Sequence, residues 1–308
     1  MEIKVSVIIL NYNTKDLTCD CIKSILKIEN EIPYEIILVD NASTECDPII
    51  FEQQFPDIHV VKNDTNLGFS RGNNIGIDLA KGDYILLLNS DTLLRNDTIS
   101  YSYRKLEADK TIGALSVKLS NPDGTVQLTA NKFPTLKNEL MELLRITKFF
   151  SKKERSEFFL GSEFDHRTEK ECDWIWGTYF FFPKALLNNF KNKLLPDQFF
   201  MYGEDIDWCW KIKKLGFRIM YFPDAEIIHY GGASLVEEEE KKYFERIFPN
   251  TFKSIALNKG CIYAWALYFT KAFHLLTLRN RKDFKKAFIY FRFLFGKKQY
   301  WLNDLLIN

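Results

Sequence analysis

The chain has 308 residues, 46% of them hydrophobic and 27% charged, enough apolar sequence to bury a full core, which excludes a disordered protein. Its net charge of +1 excludes nucleic acid as the main partner of the whole molecule. That charge is unevenly spread: residues 253–308 hold 11 Lys and Arg against 2 acids, or +9, which leaves −8 for residues 1–252.

Six cysteines, Cys19, Cys21, Cys46, Cys172, Cys209 and Cys261, show no paired metal spacing, and no secretory signal precedes the first apolar run. The expected compartment is therefore the reducing cytoplasm. Cys19 and Cys21 are one residue apart, the wrong spacing for a redox or metal pair, and read as helix cysteines facing a core.

In chain order, Lys4 to Leu10 is a β-branched run ending in Asn11-Tyr12-Asn13-Thr14, which predicts a buried parallel strand followed by a turn and a helix start. Leu17, Cys21, Ile25 and Ile28 then keep helical spacing through residues 16–28. Strands are predicted at Tyr34 to Val39, His59 to Lys62 and Tyr84 to Leu88, with helices near Asp47 to Gln54 and Arg71 to Ala80 between them. That alternation is a βαβ pattern, so the fold class is α/β with a doubly wound, mostly parallel sheet.

Ile112 to Leu119 predicts a further strand, and Asn121-Pro122-Asp123-Gly124 a turn into an extended Thr125 to Leu128. Residues 135–170 are charged, Phe-rich and weakly periodic, and read as a mobile or acceptor-specific insertion. Asp173 to Pro183 reads as an aromatic strand, Ala185 to Phe190 as a short helix, and Glu204 to Leu215 as a helix stopped by Gly216. Phe217 to Phe222 and Ala225 to His229 read as two short final strands.

The tail differs in kind. Ile262, Trp265, Phe269, Phe273 and Leu276, and then Phe284, Phe288, Phe291 and Phe295, recur at steps of three or four with basic residues between them. Lys271 and His274 interrupt the one long apolar run, which argues against a transmembrane span. Two readings stay open: helices packed on the rest of the protein, or a basic face against an anionic membrane. The expected boundaries are a domain over residues 1–240 and a helical extension over 241–308.

Three carboxylates stand at or just beyond strand-like or aromatic runs: Asp40 after Ile36-Ile37-Leu38-Val39, Asp91 after Leu88-Asn89-Ser90, and Asp205 in Tyr202-Gly203-Glu204-Asp205. Carboxylates at successive strand ends are costly unless a cation or a transferable proton is near, so they point to a polar reaction site. Asp40 is placed to accept a hydrogen bond from a nucleobase or ribose, or else to cap the segment that follows it. The Gly-rich loop from Asn66 through Gly68 to Arg71 could approach ribose or phosphate through backbone N–H groups and the guanidinium.

Asp91 could hold a divalent metal with diphosphate oxygens, or cap the next helix. His229 is a second ligand or a structural histidine. Glu204 and Asp205 follow the aromatic run Phe199-Phe200-Met201-Tyr202, where a desolvated carboxylate gains proton affinity and can act as a general base; the alternative is that these acids only favour a positive helix end. Trp174, Trp176 and Tyr179 are either a sugar platform or core.

Taken together, Ser6 to Asn13, Val39-Asp40-Asn41-Ala42-Ser43, Asn66-Leu67-Gly68-Phe69, Leu88-Asn89-Ser90-Asp91, Trp176-Gly177 and Gly203-Glu204-Asp205-Ile206-Asp207 closely resemble family 2 glycosyltransferases over residues 3–235. The resemblance implies a GT-A fold, inversion at the anomeric carbon, a nucleotide-sugar donor, and Mg or Mn as cofactor. It implies Asp205 as catalytic base and donor binding by Asn11, Asp40, Asn66, Gly68, Arg71, Asn89 and Asp91. Acceptor binding falls to Trp176, Gly177 and Glu204, and the metal to Asp91 and His229.

One departure is that the family's Asp-x-Asp motif has Asn89 in its first position here, an uncharged group. The Asn-x-Asp form and the Asn-Leu-Gly-Phe loop resemble the rhamnosyltransferase-like branch of bacterial surface polysaccharide synthesis. That implies dTDP-rhamnose as donor, with a UDP-hexose next, and a glycan or lipid-linked acceptor at the inner face of the cell membrane. The rival readings are a nucleotidyltransferase, whose Gly-rich, Lys-containing signature near the first strand is missing, and a non-catalytic scaffold that keeps the fold.

Overall fold

A computed structural model describes residues 2–231, 247–278 and 281–296. Two compact units emerge: residues 1–131 with 165–237, and residues 132–164 with 238–308. Part of the expected 241–308 extension thus lies outside the described residues.

The first unit opens with β1 (Val5–Asn11), α1 (Lys15–Lys27), β2 (Tyr34–Asp40), α2 (Ile49–Gln54), β3 (His59–Lys62), α3 (Gly68–Leu79) and β4 (Tyr84–Asn89). β5 (Thr92–Leu94), α4 (Thr98–Ala108) and β6 (Ile112–Ser120) follow. The chain then supplies α5 (Leu136–Leu143) and α6 (Lys152–Phe159) to the second unit. β7 (Lys170–Cys172), β8 (Tyr179–Pro183), α7 (Glu204–Lys214) and β9 (Arg218–His229) complete the first.

All nine strands form one sheet in the order β3-β2-β1-β4-β8-β6-β9-β5, with β7 also on β9. β1, β2, β3 and β4 are parallel, as the continuous apolar runs Val7-Ile8-Ile9 and Ile85-Leu86-Leu87-Leu88 require of strands covered on both faces. β8 inserts antiparallel between β4 and β6, so its incoming end meets the carboxyl end of β4 at Leu88 and Tyr179. The core beneath joins Val5, Val7 and Ile9 to Ile22, Leu86, Leu115, Phe181 and Ile227.

Several boundaries differ from expectation for identifiable reasons. The aromatic stretch 173–183 is a strand only from Tyr179, because the Trp176 N–H turns aside to the Thr129 hydroxyl at 3.1 Å instead of joining a ladder. The two expected final strands are one: β9 runs through Pro223, and its pairing with β6 jumps from Val117 with Phe222 to Lys118 with Glu226, which absorbs the proline in a bulge. Residues 125–128 make only an isolated bridge, Ser120 with Val126. β5 and α4 had no sequence forecast; α4 is capped by Asp97, which accepts from the Ser100 N–H at 2.9 Å. Tyr179 is core, fully buried, with its hydroxyl between Ser102 and the Thr98 carbonyl.

In the second unit, residues 132–164, most of the stretch 135–170 read from sequence as an insertion, carry α5 and α6. α6 carries a full capping box between Ser151 and Glu154. α8 (Phe248–Lys259), α9 (Cys261–Thr277) and α10 (Arg281–Phe295) complete it around Phe248, Phe252, Leu267, Tyr268, Tyr290 and Leu294. Lys271 of α9 pairs with Glu139 of α5 at 3.6 Å, and the Leu136 N–H donates to the Tyr263 hydroxyl. None of the described helices is long and apolar enough to cross a membrane.

Candidate active site

Strand register gathers the polar residues. Asn11 pairs with Asp40 across β1 and β2, and Leu10 with Asn89 across β1 and β4, so all three chains end their apolar runs at one rim. Such a rim at the carboxyl ends of parallel strands is where ligands of α/β sheets bind.

At the β2 side the Asn11 Nδ2 donates to Asp40 Oδ1 at 2.7 Å, and Asp40 Oδ2 accepts the Ser43 N–H at 3.0 Å. Asp40 is fully buried and braces the turn after β2. Asn11 Oδ1 takes the Thr14 and Thr18 hydroxyls at 2.9 Å, and Thr14 lies 2.9 Å from the Ser90 hydroxyl, which ties this end to the loop carrying Asp91. Of the two roles open for Asp40, the visible contacts are those of a local turn brace.

The Gly-rich loop is likewise held from within. Asn66 Oδ1 accepts from Asn41 Nδ2 and from the Gly68 N–H, both at 2.9 Å. Gly68 has φ of +78°, and a Cβ there would lie 2.3 Å from the Phe200 carbonyl oxygen, the acceptor of the Phe69 N–H. Gly68→Ala is therefore expected to destabilise the fold by about 2–3 kcal/mol, combining backbone strain with a backbone clash; a chemical denaturation midpoint equal to wild type would contradict that reading. Arg71, read from sequence as part of this loop, lies in the first turn of α3 and donates through Nε to Asp197 at 2.9 Å in an exposed ion pair.

At the β4 end Asp91 lies beside His229, with Nε2 and Oδ1 3.4 Å apart. β5 and β9 fix them: Thr92 pairs with His229, and the Tyr230 N–H donates to the Asp91 carbonyl at 3.0 Å. Gln127, absent from the sequence expectations, sets the imidazole. Its Nε2 donates to Asn121 Oδ1 at 2.6 Å and to the His229 carbonyl at 2.9 Å, so its Oε1, 2.7 Å from His229 Nδ1, is placed to accept a hydrogen bond from that nitrogen. That leaves His229 Nε2 as the nitrogen that faces the Asp91 carboxylate.

Imidazole nitrogen beside carboxylate oxygen is a donor set that Mn accepts. Asn89 Oδ1 on the same strand end is buried with no hydrogen-bond partner, which leaves an acceptor for a metal-bound water or a sugar hydroxyl. The residues present thus fit a divalent metal completed by diphosphate oxygens. Among the described residues no group of three His, Cys, Asp or Glu side chains gathers at one point.

α7 brings the third carboxylate. Tyr202 and Gly203 both have left-handed backbones, φ of 66° and 93°, and turn the chain into the helix so that Glu204 and Asp205 occupy its first turn. Burial pushes the Asp205 carboxyl up to about 6, while N–H groups of Ile206, at 2.8 Å, and Gly177 act in the opposite direction. Burial, and then the charge of Asp205, hold Glu204 well above the ordinary carboxylate range; its Oε2 is buried and unpartnered.

Gly177 links the two halves of the rim. A Cβ there would lie 2.9 Å from the Phe69 ring and 3.9 Å from the Asp205 Cβ, and the neighbouring Thr178 carbonyl accepts the Asn89 N–H at 3.0 Å. Asp205 thus stands at the rim that carries Asn89, reached through the incoming end of antiparallel β8. Trp176, next in the chain, is half-buried against the core. Asp207 is turned away from the rim to Gln198 and Lys211.

The Glycosyl transferase family 2 model matches residues 6–188. The chain is 23% identical over 216 residues to the N-acetylglucosaminyl-diphospho-decaprenol L-rhamnosyltransferase of Mycobacterium tuberculosis, covering 67% of this chain and 69% of that protein. It is 25% identical over 258 residues to the rhamnosyltransferase WbbL of Escherichia coli K12, covering 77% and 88%. Among solved structures, GalNAc-T7 with UDP, GalNAc and Mn2+ superposes with a TM-score of 0.60 at 14% identity, over 92% of this chain and 54% of that one, a likeness of fold. Mixed sheet, rim and family match agree, and the chain belongs to glycosyl transferase family 2: it is a glycosyltransferase of GT-A fold, similar to rhamnosyltransferases.

Proposed function

We propose that the protein transfers rhamnose from dTDP-rhamnose to a lipid-linked or growing glycan, with inversion at the anomeric carbon, in the synthesis of a bacterial surface polysaccharide. The observation that carries the reading is the pairing, at one sheet rim, of a carboxylate beside an imidazole with a second carboxylate whose proton affinity burial has raised. The named rhamnosyltransferases among its relatives support the donor.

Asp205 takes the proton of the acceptor hydroxyl as that oxygen attacks the anomeric carbon, while the bond to the diphosphate breaks and the nucleotide diphosphate departs. Asp91 and His229 would hold a divalent ion, Mg or Mn, which would supply positive charge against the leaving diphosphate. Asn89 accepts from a ribose hydroxyl or an ion-bound water. Asn11, Asp40, Asn66, Gly68 and Arg71 shape the loops that receive the nucleoside. Trp176, Gly177 and Glu204 line the acceptor side. Residues 253–308, with their charge of +9, make peripheral contact with an anionic membrane at its inner face, from the cytoplasm.

A thermal-shift screen of nucleotide sugars with Mn or Mg present tests the donor. At a hundred times Kd, dTDP-rhamnose is expected to raise the melting point by about 5 °C, and dTDP alone by less. Stabilisation by UDP-hexoses and not by dTDP-rhamnose would remove the donor assignment and leave the family assignment in place.

A further inference from the structure

The second unit presents an apolar and basic surface that nothing in the fold of that unit covers. Between α5 and α6 the chain turns through Arg145, which has a left-handed backbone, φ of 57°. The turn exposes Leu144 (66%), Ile146 (40%) and Phe149 (88%). A phenylalanine at that exposure gains nothing in water, and three large apolar side chains within six residues form a patch rather than a scatter. Residues 143–153 carry Arg145, Lys148, Lys152 and Lys153 and no acid.

A hydrogen bond from Arg145 Nη2 to the Thr277 carbonyl, at 3.5 Å, sets this turn beside the C-terminal end of α9, close in the chain to where α10 begins. α10 is two-faced: Ala287, Tyr290 and Leu294 are buried in the unit, whereas Phe284 (58%), Phe288 (69%) and Phe295 (61%) are exposed at steps of four and seven. Arg281, Lys285 and Arg292 are exposed on the same helix. Exposed apolar side chains interleaved with cations match the boundary of an anionic bilayer, where rings enter the acyl edge and cations meet head groups.

We propose that the turn at residues 144–149 is a membrane-insertion element that acts with the Phe284 and Phe288 face of α10, so that the segment between β6 and β7, and not the C-terminal tail alone, attaches the protein to anionic lipid. The proposal deepens the membrane contact of the proposed function and rests on that contact alone, not on donor or mechanism.

The test is flotation of the full-length protein with vesicles of phosphatidylcholine alone or with about 30% phosphatidylglycerol, for wild type, Phe149→Ser with Leu144→Ser, and Phe284→Ser with Phe288→Ser. Wild type is expected to float with anionic vesicles and far less with neutral ones. Each double substitution is expected to weaken that partitioning by about tenfold or more, since each removes two inserted apolar side chains. Donor hydrolysis without acceptor stays at the wild-type rate in both variants, which checks that they fold and keeps a failure here distinct from a failure of the transferase reading. Flotation of the Phe149 and Leu144 variant equal to wild type would overturn the proposal. So would an absence of vesicle binding together with a wild-type dimer that the substitutions dissolve, because the patch would then join two copies.

Discussion

Asp205→Asn is expected to slow sugar transfer by about 1,000-fold while leaving the Kd for the nucleotide sugar within about twofold, because it removes a base that acts only in the reaction step. The amide keeps the shape and still accepts the Ile206 N–H that Asp205 Oδ1 holds at 2.8 Å. Burial alone still raises the proton affinity of Glu204 in this variant, which makes it a poor replacement base. With a carboxyl raised to about 6 by burial, the wild-type rate is expected to rise tenfold per pH unit below 6 and level off above, and the variant's residual rate to lack that limb.

Stability moves the opposite way. The folded value of about 6 exceeds the ordinary aspartate value of 3.8, so this carboxyl favours the native state below about pH 4 and loses that contribution as pH rises through 6. The asparagine variant is then expected to be more stable than wild type at pH 7.5, by up to about 3 kcal/mol, with the gain vanishing near pH 4. Initial rates, donor titration calorimetry and melting curves at both pH values check all three. Unchanged turnover, or a lost donor affinity with normal turnover of bound donor, would end the assignment of Asp205 as base.

Asp91→Asn is expected to weaken Mn binding by more than about 100-fold, and Gln127→Leu by about tenfold. The first removes the charge of a ligand, and the second only the acceptor that fixes the His229 tautomer at 2.7 Å. Binding is read directly by the paramagnetic signal of free Mn in titrations with dTDP present, and the rate follows the same order at limiting metal. Full activity of the wild type in chelator, or equal Mn affinity in all three proteins, would separate Asp91 and His229 from metal binding.

The first half of the sheet was legible because its strands are long apolar runs that end in polar residues, and such runs leave little choice of register: Asn11, Asp40 and Asn89 meet at one rim because the runs before them are in step. The same logic failed where side chains and backbone disagree. Trp174 to Trp176 look like strand by composition, yet a hydroxyl from Thr129 takes the backbone N–H. Pro223 reads as a strand end, yet a register shift on β6 accommodates it. The Phe-rich segment after residue 135 has weak periodicity because α5 and α6 are short and none of their residues is fully buried, so no sharp apolar stripe was needed.

Within the site, the carboxylates were readable one by one, but their partners were not. Gln127 lies 102 residues before His229, and only the turn at Asn121 to Gly124 hinted that its segment doubles back toward the end of β6. Glu204 and Asp205 looked alike in sequence. They differ because Asp205 receives N–H groups from Ile206 and Gly177, whereas one Glu204 oxygen is sealed without a donor.

The reversed direction of β8 also bears on how such enzymes diversify. The loops proposed to receive the nucleotide hang from the outgoing ends of β1, β2 and β4, while Gly177 and Thr178 lie on the segment that leads into antiparallel β8. On the proposed assignment, a lineage can rewrite the segment leading into β8, and with it the choice of sugar or lipid to be extended, without renegotiating how it holds its activated monosaccharide.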